Sequence, residues 1–288
     1  MPFRQPISQI IRARYSCRTY DERPIEKSTR QQLAEFAASN TTGPFGTQAR
    51  FELAAASPED RAALKGLGTY GFIKDATGFI IGATRDAGGN LEDYGYLMER
   101  IVLFATDLGL GTCWLGGSFA KSSFSAKISA REDELVPAVT AVGYIAERPR
   151  AMDSMIRRGA GSDSRLPWQR LFFEGQLGTP LSREAAGAHG EILEMVRLGP
   201  SASNKQPWRI VKDGSAWHFF LQRTRGYGQG RLRKGWIVAD MQRLDMGIAM
   251  CHFELSAQEL GLGGHWEFDE PPIHKPDELT EYTASWVG

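Results

Sequence analysis

An α+β fold present twice in one chain is what the sequence predicts, and three observations predict it. The tract LGLGTCW beginning at Leu108 returns as LGLGGHW beginning at Leu260, 152 residues later (108 to 260). At the same spacing Asp93 meets Asp245, Gly95 meets Gly247 and Met98 meets Met250. Upstream, a helix-like LAEFAAS running into GPFGTQARFEL parallels ILEMVRL running into GPSASNKQPWRIV, with a slightly longer second loop. Similarity at one fixed period marks a repeated unit. Each copy reads as helix, loop, strand, long helix and strand, so the expectation is a pseudo-symmetric pair in which one chain mimics a homodimer.

The elements follow in order. Ile7, Ile10 and Ile11 share one helical face and lead into a basic cluster, Arg12, Arg14 and Arg18. A second helix spans Lys27 to Ser39 and is broken by TTGPFGTQ before the strand-like FELAAA. FIIGA at 79–83 and AVTAVGY at 138–144 are short apolar runs of buried-strand type. Between them Leu91 to Leu110 is a long amphipathic helix closed by Gly109 and Gly111, and TCWLGG follows as strand and turn. From Glu147 the chain turns rich in Arg, Pro and Gly. The expected organisation is therefore a first half at 1–150, a connecting arm without packed elements at 151–181 and a second half at 182–288.

Composition narrows the function. With 288 residues and 42% hydrophobic content the chain can bury a large core, and 34 basic against 34 acidic residues give no bias toward nucleic acid or an anionic membrane. Cys17, Cys113 and Cys251 lack metal-ligand spacing, as do the five histidines, so free thiols in a cytoplasmic protein and no metal are expected. His252, between Met250 and Phe253, reads as a packed residue. No GxGxxG follows a strand, which leaves a Rossmann dinucleotide site unsupported.

Two stretches carry chemistry. In PSASNKQPW, Pro200 stiffens the backbone, Ser201 and Ala202 allow a flat ligand to come close, and Asn204 offers donor and acceptor. Taken alone it is an ordinary polar helix-to-strand loop. In RYSCRTY, Arg14, Ser16 and Arg18 alternate and project to one side of an extended backbone, a receptor for a phosphate or a polarised ring oxygen. Taken alone it is a solvated basic turn.

Together, RYSCRTYDERPI, the PSASNKQPW loop and the long helix ending LGLGTCWLGG resemble the nitroreductase family of FMN enzymes, and the tandem arrangement resembles its "putative TM nitroreductase" subgroup. The resemblance spans nearly the whole chain. It implies an α+β nitroreductase-like fold whose FMN lies at the interface between two units, here internal to one chain. It further implies that Arg14, Ser16 and Arg18 contact the flavin from the first half, that Leu115, Gly116 and Gly117 approach it through their backbone, and that Arg165 contacts the phosphate. Pro200, Ser201 and Asn204 come from the second half. Asp163 stands where a second cation is usual; Arg157 and Arg158 sit nearby on the arm as substitutes, secondary to the basic motif, so Arg14→Ala is expected to cost more FMN than Arg157→Ala.

Only one combination of basic motif and polar loop is intact, which predicts one FMN per chain. The activity implied is transfer of electrons from NAD(P)H, a transient reductant, to a small nitroaromatic or quinone-like acceptor by a ping-pong cycle. A non-catalytic flavin-binding or storage protein, or a superfamily relative acting on flavin or halogenated substrates, would use the same site. The tract 225–236 reads as an exposed loop, alternatively as a flap over the flavin. The chain is expected to be a monomer, with further self-association open.

Overall fold

A computed structural model describes residues 2–55, 64–148, 150–159, 161–162, 164–227 and 239–288, and the backbone of 232–233 and 236–237. In chain order the first half contains α1 (Ile7–Ala13), α2 (Lys27–Ser39), β1 (Ala49–Ala55), β2 (Gly78–Arg85), α3 (Asn90–Asp107), β3 (Gly111–Leu115), α4 (Lys121–Lys127), β4 (Glu134–Leu135) and β5 (Val139–Gly143). Next come α5 (Ala151–Gly159), β6 (Phe172–Glu174), α6 (Arg183–Ala186) and α7 (His189–Leu198). The remainder is β7 (Trp208–Asp213), β8 (Ala216–Gln222), β9 (Leu232–Arg233), β10 (Trp236–Ile237), α8 (Met241–Glu259), β11 (His265–Glu267) and β12 (Thr280–Val287).

The two main sheets repeat one plan. The first runs β1-β2-β5-β3 and the second β7-β8-β12-β11, with every one of these neighbours antiparallel. The apolar runs of β2 and β5 are buried on both faces, which is why they read as continuous rather than alternating hydrophobic stretches.

The long helices α3 and α8 pack against each other more extensively than any other pair of elements. Glycine makes the close approach possible. A Cβ on Gly95 would overlap the Leu244 carbonyl oxygen, and one on Gly247 would overlap the Glu92 carbonyl oxygen. Leu244 follows Glu92 by the spacing that separates Gly247 from Gly95, so the contact is reciprocal, as in an isologous interface. Nearly all of α3 is buried, since a sheet covers one side and α8 the other.

The expected arm at 151–181 contains packed elements after all. Ala151–Gly159 is helical, with Asp153 buried and hydrogen-bonded to Thr19 and Arg150. Trp168, Leu171 and Phe172 join the core, and β6 adds to the outer edge of β7 as a parallel strand, pairing Phe172 with Ile210. A strand just after the first half thus completes the sheet of the second. Its three residues pair with distant β7 on one side and bridge to Pro180 on the other, a stretch too short for local periodicity to announce it. Among the described residues, no helix is long and apolar enough to cross a membrane.

Candidate functional site

The buried cores leave a cleft of about 470 Å³ beside α5, lined by Ser154, Arg157, Arg158, Gly161 and Ser164. A volume of this size suits a small-molecule ligand. Its charge comes from the last turn of α5, where Arg157 and Arg158 sit at the negative end of the helix dipole.

The basic motif approaches from one side. Arg14 leaves α1 in an extended conformation, Ser16 bridges Thr112 of β3 in parallel, and the Cys17 amide donates to the Thr112 carbonyl at 2.8 Å. Arg18 turns back and donates to the Ser16 carbonyl at 3.3 Å. Arg157 lies 5.8 Å above the Tyr15 ring, and Arg14 is close enough for the two guanidinium charges to repel. Burial lowers the pKa of Arg14, against the opposing pull of Glu99. Its Nε–H is buried and makes no hydrogen bond among the described residues. The nearest carboxylate oxygen, Oε1 of Glu99, lies 4.0 Å away, within ion-pair range but too far for a hydrogen bond, so the donor's capacity is unused.

The second half holds the cleft lining from outside. Asn204 donates through Nδ2 to the carbonyls of Gly161 at 2.6 Å and Ser164 at 3.1 Å, stitching the PSASN loop to the cleft rim. Ser201 Oγ accepts from the Gln206 amide at 2.9 Å, and Gln206 Oε1 accepts from the Leu166 amide at 2.8 Å. Arg165 binds the carbonyls of Ser162, Ser164 and Leu198, so it braces the same rim. Ser203, Asn204 and Gln206 all have positive φ, a concentration of left-handed backbone held by these bonds.

A buried carboxylate sits beneath this loop. Asp245 on α8 accepts from the Ala202 amide at 2.9 Å, and burial pushes its carboxyl well above the usual range. Asp93, its counterpart in the first half, accepts from the amides of Phe45 and Thr47, both at 2.8 Å.

Of the expected residues, Asn204 and Arg165 bond to the cleft lining, Arg14 lies buried close to Arg157, and Ser201 braces the loop. Ser16 and Arg18 continue the motif along β3. Pro200 precedes the loop, half-buried. Leu115, Gly116 and Gly117 end β3 instead beside the start of α8, where Gly116 leaves no room for a Cβ against Met241. No described contact joins these three to the cleft lining. Asp163 and much of the tract 225–236 lie outside the described residues.

Sequence reading undervalued Arg157 and Arg158, which line the cleft, and missed Glu99 and Trp114. Glu99 is a fully buried carboxylate in the apolar run LMERIVLF of α3, an anomaly that could have been noticed. It contacts His252 of the second half.

A family model described as "Putative TM nitroreductase" matches residues 6–257. The chain belongs to this nitroreductase family. Among solved structures, a Thermotoga maritima protein described as a putative nitroreductase is 20% identical; the alignment covers 98% of this chain and 94% of that one, with a TM-score of 0.62. A structure described as "the oxidoreductase containing FMN" is 20% identical, covering 61% of this chain and 95% of that one, with a TM-score of 0.50. Among curated proteins, none matches. The nitroreductase fold of the first comparison spans both halves, whereas the second protein spans just over half of this chain.

Proposed function

We propose that this nitroreductase-family chain is an FMN-dependent oxidoreductase that carries electrons from NAD(P)H to a small organic acceptor of nitroaromatic or quinone type, with one FMN per chain. The observation that carries the reading is the cationic lining of the cleft by Arg157 and Arg158, with the buried Arg14, whose Nε–H makes no hydrogen bond among the described residues, close to Arg157, and with the cleft residues Gly161 and Ser164 held by Asn204. The residues present fit the cofactor: the cations suit its phosphate, the cleft suits its size, and the polar loop suits its ring edge.

Bound FMN would supply the redox chemistry itself. The chain's own residues bind and orient. Arg14, Arg157 and Arg158 hold the anionic end, and Ser16 and Arg18 extend that grip. Pro200, Ser201 and Asn204 present backbone and amide groups from the second half, while Arg165 keeps their rim in place. Leu115, Gly116 and Gly117 are assigned to the ring by family resemblance.

The reciprocal glycine contacts of α3 and α8 and the shared strand order support an internal pseudo-dimer, a single chain standing in for two subunits. The deciding experiment is the absorption spectrum and flavin stoichiometry of the purified protein, followed by anaerobic mixing with NADH or NADPH. One FMN per chain and rapid bleaching are expected. Two FMN per chain overturn the single site; a bound flavin that stays oxidised makes the protein a binder rather than an enzyme.

A further inference from the structure

Behind Arg14 lies a buried charge cluster assembled from both halves. Glu99 on α3 and His252 on α8 have fully buried side chains, and that of Arg14 is only 6% exposed. His252 Nε2 stands 3.0 Å from Glu99 Oε1, and Arg14 Nε lies 4.0 Å from the same oxygen. The other carboxylate oxygen, Oε2, accepts from Trp114 Nε1 at 2.8 Å.

The hydrogen inventory of this cluster is constrained. His252 Nδ1 lies 2.9 Å from the Met195 carbonyl, which can only accept, so Nδ1 carries a hydrogen. With Nδ1 protonated, Nε2 of a neutral ring would present a lone pair to a carboxylate oxygen. Two acceptors do not sit at this distance without a proton between them. The indole donor and the nearby guanidinium both favour the ionised carboxylate, which places that proton on the imidazole.

We propose that His252 is an imidazolium whose charge compensates Glu99, leaving the charge of Arg14 uncancelled and available to an anion in the cleft. Without His252, Glu99 would instead neutralise Arg14. The second half thus contributes to the anion site twice, openly through the PSASN loop and indirectly through a positioning residue on α8. The inference rests on the reading of the cleft as an FMN site.

The charged and titratable groups facing the cluster leave it as the seat of the effect. Cys113 and Arg157 face Arg14, while Cys251, Arg100 and Glu254 lie on the α3 and α8 side. Burial raises the Cys113 thiol to about 11 and holds the Cys251 thiol well above its ordinary value, so both stay neutral near pH 7. Glu254 is engaged by the Trp266 indole.

Two measurements test this. In wild-type protein, nitrogen-15 NMR should show both ring nitrogens of His252 protonated at about pH 7; a neutral ring with one bare nitrogen overturns the proposal. In equilibrium FMN titrations, His252→Gln should weaken binding about tenfold, and adding Glu99→Gln should restore most of the loss, because the double variant again leaves Arg14 uncompensated. Unchanged affinity in His252→Gln, or a double variant weaker than the single one, overturns it, since a merely structural role gives additive losses. A wild-type chain that takes up no FMN instead fails the functional reading, and the NMR measurement then decides on the imidazolium alone.

Discussion

Gly95 and Gly247 face each other's helices across the α3–α8 crossing, each leaving no room for a β-carbon against the partner backbone. Backbone cannot swing aside as a side chain can, so the two helices lie at a separation that only glycine permits. The crossing joins the halves, and the site residues hang from it: Asp245 and His252 on α8, Asp93 and Glu99 on α3.

Gly247→Ala should therefore destabilise the whole chain, by about 3 kcal/mol if the helices are forced apart. Gly263, with open space around it and no positive φ, is the matched control and should cost under about 1 kcal/mol on replacement by Ala. Denaturant midpoints at constant slope check both. Equal midpoints for the two variants would mean that the crossing is not tight.

Arg14→Ala and Arg157→Ala should each weaken FMN uptake by about tenfold or more, since Arg157 lines the cleft and the charge of Arg14 lies close to it. This replaces the expectation from sequence that Arg157 matters less. Flavin fluorescence on titration reads it directly, and wild-type affinity in Arg157→Ala would return the phosphate grip to the basic motif alone.

Asn204→Ala removes two hydrogen bonds to the cleft rim and leaves a β-branch-free but still chiral residue at φ 53°. A loss of about 1–2 kcal/mol is expected, together with faster amide exchange at 161–166. Asn204→Gly accepts the backbone and loses only the bonds, so it should fall between. If exchange at 161–166 does not change, the loop does not hold the rim.

Asp245 gives a pH dependence with a definite sign. Its folded carboxyl titrates well above the ordinary range, chiefly through burial, with the Ala202 amide pulling the other way. Between the two values the native state holds a proton that the unfolded chain has lost, so stability falls as pH rises through that window. Asp245→Asn keeps an acceptor for Ala202 without the charge. Its melting temperature should drop less than that of wild type between about pH 5 and about pH 8; parallel curves would remove Asp245 as the source.

Glu134 gives the opposite sign. The Arg50 guanidinium grips it through Nε at 3.0 Å and Nη2 at 2.8 Å and lowers its pKa to about 2. This stabilisation is present above the unfolded carboxyl value and is lost as pH falls toward the folded one. Glu134→Gln should therefore be less stable than wild type at neutral pH, with the gap closing by about pH 2. A gap that persists in acid would assign the cost to packing.

Much of the fold could be read before any coordinates. The long helix α3 was legible because its apolar period and the closing Gly109 are local signals, and the paired tracts at Leu108 and Leu260 were legible because repetition is a property of order alone. The strand β6 was not, since three residues carry no periodicity of their own and join the sheet through Ile210 and its neighbours. Of the candidate site, Arg14, Arg165 and Asn204 were named from their motifs. Arg157 and Arg158 were named but given little weight and His252 was read as packing, because a cation on an arm or a histidine on a helix has no distinguishing local pattern; Glu99, an acid in an apolar run, was passed over.

By itself, then, the sequence determined the repeat, its α+β elements and the two polar stretches, all carried by spacing along the chain. Tertiary structure decided which of those stretches meet. It set Arg157 of α5 over the Tyr15 ring, tied Asn204 to the carbonyls of Gly161 and Ser164, and placed His252 against Glu99 across 153 residues of chain. Charge, burial and hydrogen bonding depend on distance in space, and two halves of one chain acquire those distances only when the α3–α8 crossing closes.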